Sequence, residues 1–200
     1  MLRPPDPGSF ERLIVPVEVP TSRLWRLSFH PTTEPWFGKA ATHRFDDPLP
    51  DVAGRYGVLY AGEDVETAFC ESVIHESSTF IGGRYVVARS DIDRRYVVRF
   101  SRPAGLPLQL ADFSGDALKA MGLTGDISAG DAYERPQLWS RAVHEAVPSL
   151  DGIRYRSRQR NEAYCYAIFE RSGLQVANRG LLLADVQKSA LVKIYNVHVV

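Results

Sequence analysis

Several signatures are missing from this 200-residue chain, and each absence removes a class of function. There is no G-x-x-x-x-G-K-[ST] and no G-x-G-x-x-G, so neither a P-loop nor a Rossmann phosphate cradle is expected. No G-x-S-x-G marks a hydrolase nucleophile elbow. Only two cysteines occur, Cys70 and Cys165, far apart and each inside an apolar stretch. They read as buried free thiols, with no disulfide framework and no zinc site. The five histidines, His30, His43, His75, His144 and His198, show no metal-ligand spacing, and no metal is expected. Formal net charge is zero, which argues against broad electrostatic binding of nucleic acid. No apolar run approaches a membrane span. The polar, proline-rich start MLRPPDPGSFER has no apolar signal core. A cytoplasmic protein without membrane contact is the expectation.

What is present suggests one domain. Residues 1–11 read as a loose tail, because Pro4, Pro5 and Pro7 forbid regular pairing. LIVPVEV (13–19) is apolar and β-branched, but Pro16 makes it an edge strand or extended arm. LWRLSF (24–29) alternates as a strand, with Trp25, Leu27 and Phe29 toward a core and Leu24, Arg26 and Ser28 on the other face. Residues 30–50 form a long irregular stretch, too aromatic for simple disorder. Val58–Ala61 is a short strand, and Asp64 caps a helix from Val65. Thr67, Glu71 and His75, four apart, make a polar row on that mostly buried helix. RYVVAR (84–89) and RYVVRF (95–100) read as strands joined by a hairpin or short connection. A short helix ends at Gly122, a Gly-rich linker covers 123–131, and Pro136–Val147 is the clearest helix. Strands are expected at 153–155 and 163–169 with a turn over 157–162. The C-terminus offers 181–186 and a strand over 191–200. Strands in two groups with a few helices between them indicate an α+β fold with a mostly antiparallel or mixed sheet.

Five residues stand out, and each has a plain reading beside a functional one. Arg26 and Arg44 serve either as surface arginines or as forks for a pyrophosphate. Tyr60 is a half-buried strand tyrosine or a ring that packs on nicotinamide. Glu71 is a solvated helix position or a carboxylate that stabilises positive charge developing at a ribose. Ser157, at a strand end in GIRYRS, is a turn serine bonding its own backbone or a ligand contact. The run Arg154, Arg156, Arg158 and Arg160 is a solvated edge or, with the 36–45 loop, a surface for a protein or RNA partner.

Taken together, these segments resemble the RES-domain family. The early arginine lies in Leu24-Trp25-Arg26-Leu27, and His43-Arg44-Phe45-Asp46 stands where many members have G-G-R-W-N. The V-L-Y-x-A strand is Val58–Ala61, the helix motif is Glu66-Thr67-Ala68-Phe69-Cys70-Glu71, and the late serine is Ser157, followed by Asn161. The likeness covers roughly residues 22–170. It implies an ADP-ribosyltransferase-like fold, with two small, mostly antiparallel sheets around an NAD cleft and helices at the flanks. It implies a bacterial toxin of a type II toxin–antitoxin system that cleaves the nicotinamide–ribose bond of NAD. The products would be an ADP-ribosylated protein or degraded NAD. The implied catalytic residues are Glu71, Arg26 and Ser157, with Arg44, Tyr60, His43 and Asn161 at the NAD. The implied partner is an Xre-like antitoxin that plugs the cleft and carries the only link to DNA.

Overall fold

The computed structural model describes residues 3–6, 8, 10–182 and 185–200. The strands are β1 (Pro16–Val19), β2 (Trp25–Ser28), β3 (Val58–Gly62), β4 (Ser78–Ile81), β5 (Arg84–Val87), β6 (Tyr96–Ser101), β7 (Leu108–Phe113), β8 (Gly152–Arg156), β9 (Tyr164–Phe169), β10 (Gln175–Leu181) and β11 (Val197–Val199). The helices are α1 (Val65–Phe69), α2 (His75–Ser77), α3 (Arg89–Asp93), α4 (Gly115–Ala120), α5 (Asp126–Ala129), α6 (Glu134–Ala146) and α7 (Asp185–Ile194). A π turn, Cys70–Ile74, joins α1 to α2 without a break.

One sheet has eight strands in the order β1-β7-β8-β9-β3-β2-β6-β10, and the other has three, β11-β5-β4. The class is α+β with two flanked sheets, as the resemblance implies, and the larger sheet is bigger than expected. Pairing is antiparallel except at β7/β8 and β11/β5. The β7/β8 pair is parallel because α4, α5 and α6 intervene as a crossover. β1 takes an outer position with Pro16 as its first residue, where a missing amide proton costs no ladder bond.

Three buried clusters cover the sheets. Phe45, Phe113, Trp139, Val143 and Phe169 form one with α6. Phe69, Val73, Val87, Ile92 and Leu191 form a second around the π turn and the small sheet. Leu24, Leu59, Val98 and Leu110 form a third. Each such side chain contributes roughly 1.5–3 kcal/mol by leaving water. Of the expected N-terminal tail, two described residues are tied down: Phe10 packs edge-on to Trp139, and Trp139 Nε1 donates to the Arg3 carbonyl at 2.8 Å.

Four sequence expectations need correction. Leu24 and Leu27 are both buried, in different clusters, because β2 is an interior strand covered on both faces. Phe29 lies beyond the strand end, partly exposed under the Arg95 guanidinium. Of the two readings for the link from β5 to β6, the short connection is observed and the hairpin is not. α3 connects them, with Ile92 fully buried, and they belong to different sheets. β5 instead turns back on β4 through Gly82 and Gly83, whose φ of +57° and +79° suit a two-residue hairpin. The 123–131 linker contains α5. The 191–200 strand is helix through Ile194 and strand only over Val197–Val199. Burying Leu191 against the small sheet outweighs the β-branched alternation. Of the 181–186 element, Leu181 ends β10 and α7 starts at Asp185, while 183–184 lie outside the described residues.

His144 on α6 stacks on Tyr56 with centroids 3.9 Å apart and meets Phe169 edge-on. Burial, helped by the nearby Arg171 charge, lowers its pKa to about 4. The unfolded chain therefore binds a proton that the folded chain refuses. Stability from this group is complete above the ordinary histidine range and is lost as pH falls from about 6.5 toward about 4. For a half-buried ring the screened loss is about 1–2 kcal/mol. Urea unfolding at pH 7 and pH 4.5 should show a smaller acid loss in His144→Phe than in wild type.

Candidate active site

The chain builds its cleft from one strand and the helix that follows. β3 ends at Gly62, where an added Cβ would lie 2.7 Å from the Ala68 nitrogen. Only glycine lets the helix come this close to the strand. Asp64 then caps α1, its Oδ1 accepting from the Thr67 amide at 2.6 Å. At the π turn the His75 amide reaches back to the Cys70 carbonyl. The extra residue changes which side chains share a face. Ala68, Glu71, Ser72, His75 and Glu76 line the cleft, whereas Thr67 is buried against Asp64 and Arg160. The expected row of Thr67, Glu71 and His75 is thus broken at its first member.

Glu71 is held by one oxygen. Its Oε1 accepts from Ser157 Oγ at 2.6 Å, the Arg158 amide at 3.1 Å, the Gln159 amide at 3.4 Å and Cys165 Sγ at 3.7 Å. All four donors fall on Oε1, which leaves Oε2 for the cleft that the residue lines. The turn after β8 therefore acts as a cradle for an anion. Ser157 is 1% exposed, and its hydroxyl also accepts from the amides of Gln159 and Arg160. Its hydrogen-bonding capacity is used on the protein, so it orients Glu71. Burial and the adjacent carboxylate raise the Cys165 pKa well above the ordinary thiol value, which keeps the donor proton in place. Ser157→Ala removes one donor from Glu71 and orphans the Arg160 amide, while the Gln159 amide keeps its bond to Glu71. We expect a stability loss of about 1–3 kcal/mol in urea unfolding.

Four arginines line the cleft of about 350 Å³ with Glu71 and Glu76. Arg26 is paired with Glu34 and Arg158 with Asp131, which leaves Arg44 and Arg95 without a carboxylate partner among the described residues and able to meet an anion. Arg26 Nε donates to Glu34 Oε1 at 2.9 Å and its Nη1 to the Tyr60 carbonyl at 2.9 Å. The Glu34 side chain is 1% exposed, and its Oε2 accepts from the Trp36 amide. Arg44 is 8% exposed, with its guanidinium 4.7 Å over the Tyr133 ring. Its Nη1 is buried without a hydrogen-bond partner, an arrangement that costs stability unless a ligand completes it. Arg95, 3% exposed, donates to the carbonyls of Asp91 and Ser72 and to Ser77 Oγ. Its bond to Ser72 takes up a π-turn carbonyl. Burial lowers its pKa.

Tyr60 joins the walls. Its ring lines the cleft, while its hydroxyl donates to Asp46 Oδ1 and accepts from the Phe45 amide, both at 2.9 Å. Burial and the Asp46 charge raise its pKa well above the ordinary tyrosine value, so it stays a neutral phenol. Asp46 Oδ2 also accepts from the Thr42 and His43 amides, which fixes the 42–46 turn. His43 is exposed and tilts on the Tyr60 ring at 5.5 Å.

The fold thus brings Arg26, His43, Arg44, Tyr60 and Glu71 to one cleft, with Ser157 directly behind Glu71. Asn161 is not brought there: it is exposed in the turn before β9. Sequence reasoning missed Glu34, Asp46, Arg95, Tyr133 and Tyr155, the last on β8 and lining the cleft. An acid between prolines beside a tryptophan was the one available hint of Glu34. Among the described residues, no cluster of His, Cys, Asp or Glu is placed to hold a metal ion, and no helix is long and apolar enough to cross a membrane.

Residues 23–185 match the family model described as the RES domain. No curated protein matches the chain. Among solved structures, the fold is similar to a chain in the crystal structure of the M. tuberculosis MbcT-MbcA toxin-antitoxin complex, with 13% identity and a TM-score of 0.60. The match covers 96% of this chain and 98% of that one.

Proposed function

The chain belongs to the RES-domain family, and from that premise we propose that it is the toxin of a bacterial toxin–antitoxin pair and cleaves the nicotinamide–ribose bond of NAD. The observation that carries this reading is the pairing within one cleft. A carboxylate is pinned by Oε1 with Oε2 left over, and it shares the cleft with Arg44, buried with Nη1 unpartnered, and with Arg26, held by Glu34. Arg26 and Arg44 hold the pyrophosphate. Glu71 Oε2 lies by the nicotinamide ribose. As the C1′–N bond breaks, its electron pair passes to the ring nitrogen and neutralises the pyridinium. Positive charge spreads over C1′ and the ring oxygen, and Oε2 stabilises it. A nucleophile then bonds to C1′, and its proton leaves to solvent. Water or phosphate gives NAD breakdown, and a protein side chain gives ADP-ribosylation.

The likeness to the toxin-antitoxin complex supports a cognate antitoxin as partner, proposed to be Xre-like and to block the cleft. The alternative, a protein- or RNA-binding module using the 36–45 loop and Arg154–Arg160, has little free charge to work with. Arg154 pairs with Asp112, Arg158 with Asp131 and Arg160 with Asp64, while Arg156 donates to the Glu162 carbonyl. The test is nicotinamide release from NAD by purified protein, run with labelled NAD and a lysate gel. Label on a protein band identifies the transferase. Release without a band identifies breakdown, and no release with any acceptor rejects the enzyme.

A further inference from the structure

Trp36 has a different setting from the other two tryptophans. Trp139 is buried among Phe10 and Phe113, and Trp25, half-buried and also at the cleft, carries the Arg99 guanidinium 3.5 Å over its ring. Trp36 is 58% exposed and lines the cleft. Among the described residues, no ring or guanidinium stacks on it. An exposed indole at the edge of a cationic cleft is costly to leave bare and well suited to a flat heterocycle.

Its place along the cleft says which heterocycle. β3 runs beneath the site, and its residues mark positions along it. Val58 exchanges both backbone hydrogen bonds with Gly38, two residues after Trp36. Tyr60 carries the carbonyl that accepts from Arg26. Gly62 pairs with Cys165, whose thiol donates to Glu71. Trp36, Arg26 and Glu71 therefore follow one another along the strand. The span from Val58 to Gly62 is roughly 13 Å at strand rise. The bond-breaking carboxylate is at one end, the arginine near the middle and the bare indole at the other end.

We infer that Trp36 stacks on the adenine of the dinucleotide, which makes it a substrate-binding residue that selects for the adenylate half. The assignment rests on the reading of the cleft as an NAD site. Glu34 ties the two halves of this arrangement together, since one oxygen holds Arg26 and the other the Trp36 amide. The phosphate-binding fork and the stacking ring are thereby set at a fixed spacing.

The test compares Trp36→Ala and Trp36→Phe with wild type. Base–aromatic stacking of about 1–3 kcal/mol predicts a KM for NAD raised by about five- to a hundredfold in the alanine variant. kcat should stay within about twofold, because the ring is remote from the broken bond. Phenylalanine keeps a stacking face and should restore KM to within about threefold. Separately, in a Trp25→Phe background, which removes the other indole at the cleft, ADP should quench tryptophan fluorescence saturably, and the quench should vanish when Trp36→Phe is added. An unchanged KM in an active alanine variant, or an ADP quench that survives the added Trp36→Phe, overturns the assignment. If wild type releases no nicotinamide, the NAD-cleavage reading fails, and the ADP titration still decides whether Trp36 meets an adenine.

Discussion

Glu71→Gln should lower nicotinamide release by about a hundred- to a thousandfold, on the scale of losing one preorganised charge contact in a transition state. The substitution is nearly isosteric. The glutamine carbonyl oxygen can occupy the Oε1 position and keep accepting from Ser157 and the two turn amides. Its amide nitrogen then faces the cleft where Oε2 stood. A donor replaces an anion at the point where positive charge develops. The loss should fall on kcat, because the contact is stronger in the transition state than in the bound substrate. The melting temperature should move by only a few degrees. A variant that unfolds would instead mark Glu71 as structural, and one that stays fully active would remove it from catalysis.

Arg44→Met should separate binding from stability in opposite directions. The guanidinium is buried, has Nη1 unpaired and pairs with no carboxylate among the described residues. Replacing it by an apolar side chain removes a desolvation cost of about 1–3 kcal/mol. The lost contact with Tyr133 gives back about 1 kcal/mol. The free protein should gain about 1 kcal/mol in urea unfolding, by the difference of those two effects. The KM for NAD should rise by about ten- to a hundredfold, the worth of a charged hydrogen bond. A variant both less stable and unimpaired in binding would show that Arg44 serves the loop instead.

The parts of the site legible in the sequence were those set by neighbours along the chain. The Asp64 cap, the β3 strand and the following helix each follow from a short-range pattern, and so does the demotion of β1 by Pro16. Glu71 was visible as a charged position on a helix otherwise apolar on several sides. What was not legible depends on chain segments that meet only in three dimensions. Nothing local to Arg26 announces Glu34 eight residues on as its partner. Nothing near Ser157 says that its hydroxyl will be spent on Glu71, 86 residues away. Arg95 reads as the start of a strand, yet it sits under the cleft because the π turn exposes a carbonyl that needs a donor. The C-terminal misreading has the same origin. Leu191 and Tyr195 fit a helix and a strand equally well, and only the packing of the small sheet decides.

The π turn has a consequence for how this protein can vary. Apart from Glu71, residue identity inside Cys70–Ile74 can drift as long as the apolar positions stay apolar. Residue number cannot, since each residue added or removed turns the rest of a helix by roughly 100°. A single deletion there would restore a regular helix and re-phase Glu71 and Ser72 against His75 and Glu76, although no side chain of the site had been changed. Insertion and deletion scanning across 70–74 should therefore inactivate the protein where most single substitutions at Ser72 do not. In this segment the cleft is specified by a count of residues.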